Sequence, residues 1–222
     1  MISESFATMA AEASPTRPPS RQWEVMTTIA RHRAIPIVRA LSAASGIEQC
    51  RRLVDAGAKI LEISFTTPGA AGLIAEMVRH AGSATLIGAG TVLDETTARQ
   101  AIDAGAEFLL APNLAPGMVR TGHRYGVAVI PGAQTPSEVL AAMELGASAV
   151  KLFPASSLGI TGMIGIAEAL PRVPFIPTGG IALDSAQEWL SAGAVAVGLG
   201  SAAARADLDQ LRRGLNELSL GS

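Results

Sequence analysis

The sequence predicts an α/β chain folded as a single (β/α)8 TIM barrel, with one extra helix ahead of the first strand. Three observations lead there. Glycine recurs at Gly57, Gly82, Gly105, Gly126, Gly146 and Gly193, at intervals of roughly 20–25 residues with the last about twice as long, a beat that marks repeating supersecondary units. Each glycine ends a stretch of helical periodicity, where the chain turns left-handed and glycine does so at little steric cost. Each also precedes a short apolar run with β-branched residues, so the repeating unit is helix, glycine, strand. An open doubly wound sheet is the competing arrangement, but its early Gly-x-Gly-x-x-Gly turn is missing: Gly88-Ala89-Gly90 lacks the third glycine.

The elements follow in order. Residues 1–20 are rich in Ser, Ala, Pro and Thr and read as a disordered N-terminal extension; residues 21–222 form the barrel domain. A helix over Trp23–His32 precedes the first strand, Pro36–Arg39. Ile47–Ala56 reads as a helix stopped by Gly57, and Ile60–Ser64 follows as strand two. Leu73–His80, stopped by Gly82, leads to strand three at Thr85–Gly88. Gly105 and Gly126 precede strands four and five, at Phe108–Ala111 and Ala128–Ile130. Ser137–Leu145 and Gly146 lead into strand six, Ala149–Phe153. The skipped beat falls near Pro171, another helix stopper, ahead of strand seven at Phe175–Pro177. Ser185–Ser191 and Gly193 precede strand eight, Ala196–Gly198.

Composition narrows the function. Hydrophobic residues make up 49% of the 222, enough for a sizeable core, and aromatics only 4%, so that core is built from Ala, Val, Leu and Ile. A net charge of -2 gives no electrostatic case for nucleic acid or an anionic membrane as partner. Cys50 stands alone, which excludes an intrachain disulfide or a cysteine cluster for zinc. No apolar stretch approaches the ~20 residues that span a bilayer, and the first twenty residues are a poor secretory signal, so a cytoplasmic location is expected. His32, His80 and His123 fall on helices or helix ends away from the expected site and read as exposed, not as a metal set. Asp55 and Asp103 read as solvated helix-end residues, and Trp23 and Trp189 as core or interface fillers. Neither metal nor cofactor is expected.

One residue stands out chemically. Two of the 222 residues are lysine against fifteen arginines, and one of the two, Lys151, sits in the apolar run Ala149-Val150-Lys151-Leu152-Phe153-Pro154. Arginine keeps its proton in water, whereas a desolvated lysine gives it up and becomes a nucleophile toward carbonyl carbon. The plain alternative is a lysine snorkelling from a strand end. The residues at the other strand ends favour chemistry. In a TIM-type (β/α)8 ring the active site lies at the carboxyl ends of the strands, and there the sequence places Arg39, Glu62, Thr91, Pro112, Lys151, Thr178 and two glycine-rich turns. Glu62, flanked by Ile60, Leu61, Ile63 and Phe65, is costly to bury unless paired, and Lys151 across the barrel is its expected partner. The turns Thr178-Gly179-Gly180 and Gly198-Leu199-Gly200-Ser201 stand where many barrels hold phosphate on backbone N–H groups; the alternative is that their glycines serve only tight turning.

These stretches resemble the Schiff-base 2-keto-3-deoxy-6-phosphogluconate aldolases and their 4-hydroxy-2-oxoglutarate and phosphogalactonate relatives. The matching motifs, in family order, are Leu61-Glu62-Ile63-Ser64-Phe65-Thr66, Ile87-Gly88-Ala89-Gly90-Thr91-Val92, Ala111-Pro112-Asn113-Leu114, Ile130-Pro131-Gly132, Val150-Lys151-Leu152-Phe153-Pro154, Pro177-Thr178-Gly179-Gly180-Ile181 and Gly198-Leu199-Gly200-Ser201. The resemblance covers the chain from about Trp23 to its end. It implies a class I aldolase in which Lys151 forms the Schiff base and Glu62 is the general acid/base. It further implies that Thr91, Pro112 and Phe153 line a pyruvyl pocket, that Gly179, Gly180, Gly200 and Ser201 hold phosphate, and that Thr178 contacts substrate hydroxyls. Some members bind the pyruvate carboxylate with an arginine four residues after the glutamate; here that residue is Thr66, and Arg39 takes the role as in other members. A homotrimer acting on a phosphorylated keto acid is the implied assembly and partner. Thr178 favours the gluconate epimer, since the galactonate type tends to an apolar residue there. A non-covalent phosphate-binding barrel, an isomerase or a sensor, is the alternative of another class.

Overall fold

The computed structural model describes residues 21–220, so the expected N-terminal extension lies outside the described residues. The first half of the chain runs α1 (Arg21–His32), β1 (Ala34–Val38), α2 (Ala43–Asp55), β2 (Ile60–Ser64), α3 (Ala70–Ala81), β3 (Leu86–Gly90), α4 (Glu95–Asp103), β4 (Phe108–Leu110) and α5 (Pro116–Tyr125). The second half runs β5 (Ala128–Ile130), β6 (Gly132–Ala133), α6 (Pro136–Glu144), β7 (Val150–Leu152), α7 (Ala155–Ala169), β8 (Phe175–Pro177), α8 (Ala186–Ser191), β9 (Val197–Leu199), α9 (Ser201–Arg205) and α10 (Leu208–Leu218). The six beat glycines all take positive φ, from 53° at Gly82 to 104° at Gly193, as their place past helix ends requires.

All strand pairs are parallel. Hydrogen-bonded neighbours run β5-β4-β3-β2-β1-β9 in one arc and β6-β7-β8 in another. β5 and β6 are a single strand interrupted at Pro131, whose missing N–H breaks the ladder while its carbonyl still accepts from the Lys151 N–H at 2.9 Å. The fifth strand is therefore longer than the sequence-predicted Ala128–Ile130. At the other joint, Thr178 bridges in parallel to Gly198, and the Val195 N–H donates to the Phe175 carbonyl at 2.9 Å. The wall thereby closes into the eight-stranded ring expected. Strand ends shift by a residue or two: β1 ends at Val38 with Arg39 just beyond, and the last strand is Val197–Leu199.

Side chains sort into two apolar layers by strand alternation. The inner layer holds Ile35, Ile60, Phe108, Leu110, Ala128, Ile130, Ala149, Ile176 and Ala196, plugged at one end by Val25 and Ile29 of α1. The outer layer packs Val38, Leu61, Ile63, Ile87, Leu109, Val150 and Leu152 against helix residues such as Leu53, Leu73, Met77 and Met118. Within β2 the faces alternate strictly: Ile60 in, Leu61 out, Glu62 in, Ile63 out. One expectation narrows and one changes. Trp23 is 68% exposed because the buried stripe of α1 is Val25 and Ile29, four residues apart, and Trp23 lies off it, whereas Trp189 is buried as expected. His32 is half-buried, its Nδ1 3.2 Å from the Ser219 hydroxyl, while His80 and His123 are exposed.

Candidate active site

The centre of the site is an ion pair. Register places Glu62 of β2 between Ile37 of β1 and Gly88 of β3, and places Lys151 of β7 between Gly132 of β6 and Ile176 of β8. Both side chains point into the barrel from opposite arcs, and Lys151 Nζ lies 3.5 Å from Glu62 Oε1. Lys151 is 4% exposed and Glu62 1%. Among the described residues Glu62 Oε2 has no hydrogen-bond partner. A buried pair of this kind is weak support for stability, because well-packed apolar residues often replace one at no loss. A single-contact pair with one idle carboxylate oxygen is poorly explained as scaffolding, and well explained as a proton donor and acceptor beside a nucleophile.

The neighbouring strands make room for the carboxylate. A Cβ on Gly90 would stand 1.9 Å from Glu62 Oε1, and a Cβ on Gly88 2.3 Å from the Phe108 ring, which fills the barrel below. Both positions therefore need glycine for space alone. Phe153, two residues beyond Lys151 and half-buried, sets its ring centroid 5.5 Å from Nζ.

The remaining candidate site residues lie at or just beyond the carboxyl ends of their strands, on the side of the barrel toward which this pair faces. Arg39 follows β1, is exposed at the mouth, and continues the inner face of Ile35 and Ile37; it makes no hydrogen bond or ion pair with the central pair. Thr91 follows β3 in a left-handed conformation (φ 57°), its hydroxyl 3.0 Å from Ser64 Oγ, which is 2.8 Å from Thr66 Oγ1. Pro112 is half-buried after β4, its backbone against Gly132, where a Cβ would come within 2.3 Å. Thr178 is buried, donates its hydroxyl to the Ile176 carbonyl at 3.3 Å, and fits only because Gly198 has no side chain. Gly179 and Gly180 turn with φ of 98° and 78°, beside the Phe153 ring and Ser156. Gly200 leads into α9, which begins at Ser201.

Sequence reasoning did not single out the Ser64–Thr66–Thr91 hydroxyl cluster or the role of Gly90. Two-residue alternation from Glu62 puts Ser64 on the same inner face and was signal enough for it; the contact of Gly90 is with a side chain of the neighbouring strand β2. Among the described residues no group of three or more His, Cys, Asp or Glu is placed to hold a metal ion. A cavity of about 530 Å3 lies between the β8–α8 loop and α10, lined in part by Gly180, Leu183, Gln210 and Arg213. It excludes Lys151 and Glu62, so the chemistry is located by the pair and not by the cavity.

Comparison with known proteins gives the family. A family model described as KDPG and KHG aldolase matches residues 25–213. The chain is 37% identical over 168 residues to a 2-dehydro-3-deoxy-phosphogluconate aldolase of Treponema pallidum, covering 75% of this chain and 80% of that one. It is 30% identical over 181 residues to a 2-dehydro-3-deoxy-6-phosphogalactonate aldolase of Escherichia coli, covering 81% and 86%. Among solved structures, a KDPG aldolase from Legionella pneumophila with pyruvate captured as a covalent carbinolamine superposes with a TM-score of 0.76 at 25% identity, over 88% of this chain and 98% of that one.

Proposed function

The chain belongs to the KDPG and KHG aldolase family, and is thus a carbon–carbon lyase; from that premise we propose that it cleaves 2-keto-3-deoxy-6-phosphogluconate to pyruvate and glyceraldehyde 3-phosphate through a Schiff base on Lys151. The observation that carries the reading is the buried Lys151–Glu62 pair at 3.5 Å.

Glu62 is placed to take the proton of the Lys151 ammonium, which leaves a neutral amine beside a neutral acid. Nζ attacks the C2 ketone and forms a carbinolamine. Glu62 protonates the departing oxygen, water leaves, and a protonated imine remains. The ionised Glu62 then takes the C4 hydroxyl proton through a water. The C3–C4 bond breaks, and its electron pair moves through C2 to the imine nitrogen. Glyceraldehyde 3-phosphate departs from an enamine. Protonation of the enamine at C3 and hydrolysis of the imine release pyruvate and restore Lys151. Covalent attachment replaces a poor carbanion by a stabilised enamine.

The other site residues complete the proposal. Arg39 binds the substrate carboxylate, and Thr91, Pro112 and Phe153 enclose the pyruvyl part. Thr178 contacts the hydroxyls, and Gly179, Gly180, Gly200 and Ser201 offer backbone N–H groups to the phosphate. A homotrimer is the assembly the family resemblance implies, checked by sedimentation, and a cytoplasmic location is the compartment expected from the sequence.

Thr178 favours the gluconate epimer, whereas the likeness to a phosphogalactonate aldolase favours the other, and relative cleavage rates of the two epimers decide between them. Cleavage of 4-hydroxy-2-oxoglutarate is the third family activity to be assayed. Family membership favours all three over a non-covalent phosphate-binding barrel. Borohydride reduction in the presence of pyruvate is the direct test. A reduced adduct on Lys151, absent from Lys151→Ala along with turnover, is the expected result; no adduct, or full activity in the variant, ends the proposal.

A further inference from the structure

We infer that Arg52, outside the barrel on α2, is a positioning residue for the phosphate-binding turn at Gly200–Ser201, acting through the short helix α9. The inference rests on the proposed reading of that turn.

Arg52 lies in the last turn of α2, half-buried. Its guanidinium Nη1 donates to the carbonyls of Ala203 at 3.4 Å and Ala204 at 3.2 Å, and its Nη2 donates to the carbonyl of Ala206. The first two carbonyls belong to α9, a helix of only 5 residues, and Ala206 is the residue just past its end. A helix this short does not hold in water by itself, and its last carbonyls lack partners within it. Arg52 satisfies two of them and the Ala206 carbonyl beyond the helix from one planar fork, and its charge sits at the negative end of the helix dipole.

The other end of α9 is the turn in question. The Ala204 N–H donates back to the Gly200 carbonyl at 3.3 Å, so a shift of Ala204 moves Gly200 with it. The buried Ala203 fixes one flank of the helix against the core, which leaves rotation and slide for Arg52 to restrain. The same device anchors α2 itself, since Arg212 of α10 donates to the Asp55 carbonyl at 3.2 Å. Arg52 is about one helix turn from that anchored end. A guanidinium can bridge three carbonyls in one plane, and a lysine ammonium is a point donor that cannot.

The test is full-length Arg52→Ala and Arg52→Lys against wild type, with three readouts. These are steady-state cleavage of 2-keto-3-deoxy-6-phosphogluconate, competitive inhibition by inorganic phosphate, and exchange of the pyruvate methyl protons in D2O. The last needs Lys151 and Glu62 but no phosphate. Expected for Arg52→Ala is about a tenfold rise in KM and in the phosphate inhibition constant together, the scale of losing charged hydrogen bonds, with kcat and pyruvate exchange within about twofold of wild type. Arg52→Lys falls between, and carries the test if the alanine variant does not fold. Equal losses in exchange and cleavage, or unchanged KM and phosphate inhibition, overturn the inference. Wild type that exchanges no pyruvate protons and traps no adduct defeats the proposed function itself. Wild type that exchanges them but is indifferent to phosphate defeats the turn's assignment, and this inference with it.

Discussion

Gly90→Ala probes whether the carboxylate of Glu62 acts from where it stands. The added Cβ would lie 1.9 Å from Glu62 Oε1, 2.5 Å from Cδ and 2.6 Å from Cγ. Carbon atoms settle about 3.5–4.0 Å apart, so the carboxyl carbon must retreat by about 1 Å or more. Glu62 is 1% exposed and has no solvent to retreat into, so the crowding costs on the order of 1–3 kcal/mol of stability. A misplacement of about 1 Å in a catalytic group costs on the order of 100-fold in rate. The expected variant is folded, with a lowered unfolding midpoint and kcat down by about 100-fold. Pyruvate release gives kcat, and circular dichroism gives the midpoint. Borohydride trapping still marks Lys151, only more slowly. Gly165→Ala is the matched control, because a Cβ there meets nothing within 4 Å. It sits in α7 and should gain up to about 1 kcal/mol with activity unchanged. A Gly90→Ala variant with wild-type kcat and an intact fold refutes the reasoning, since the carboxylate would then be dispensable at that position.

Other expected outcomes follow from single groups. Glu62→Gln keeps the shape and removes the proton relay, so turnover should fall by about 10²–10⁴-fold with the far-UV spectrum unchanged. Burial, and next the charge of Glu76, push the Cys50 thiol up to about 12, so native protein should resist iodoacetamide at pH 8 and label only on unfolding; rapid native labelling contradicts the burial. At the start of α6, Glu138 is held below the usual carboxylate range first by the Gln134 N–H and then by the Thr135 hydroxyl. Its folded value is the lowered one, so the stabilisation is complete above the unfolded glutamate value and is lost as pH falls through the folded value. Glu138→Gln should therefore be less stable than wild type at pH 7 and equal to it in strong acid, measured by urea midpoints. Thr135 caps α6 in return, its hydroxyl accepting from the Glu138 N–H, so Thr135→Ala should cost about 1 kcal/mol.

The barrel was legible because its punctuation is local. Each beat glycine marks a helix end by its own backbone preference, and the apolar run that follows needs no knowledge of its neighbours. Lys151 and Glu62 were legible as oddities, a charge where solvation is poor, and the closed ring supplied the pairing. What escaped was set by side-chain fit between paired strands far apart in sequence. Gly90 serves the carboxylate of β2, and Gly198 serves the side chain of Thr178, relations that no local pattern encodes. The extra length of strand five escaped because Pro131 reads as a stop, although its carbonyl still bonds and the strand resumes at Gly132. Of the two roles expected for Trp23, core or interface, its position on the helix takes it out of the core.

The joint between β8 and β9 has the least backbone pairing of the ring, a lone bridge at Thr178–Gly198 and one further bond from Val195. The two proposed phosphate turns, Gly179-Gly180 and Gly200-Ser201, stand on either bank of it. A dianion gripped by both works as a clasp, fastening the hoop where it is loosest. Cargo then doubles as a rivet: inorganic phosphate alone should lift the melting temperature, and a starved enzyme should gape first along this line.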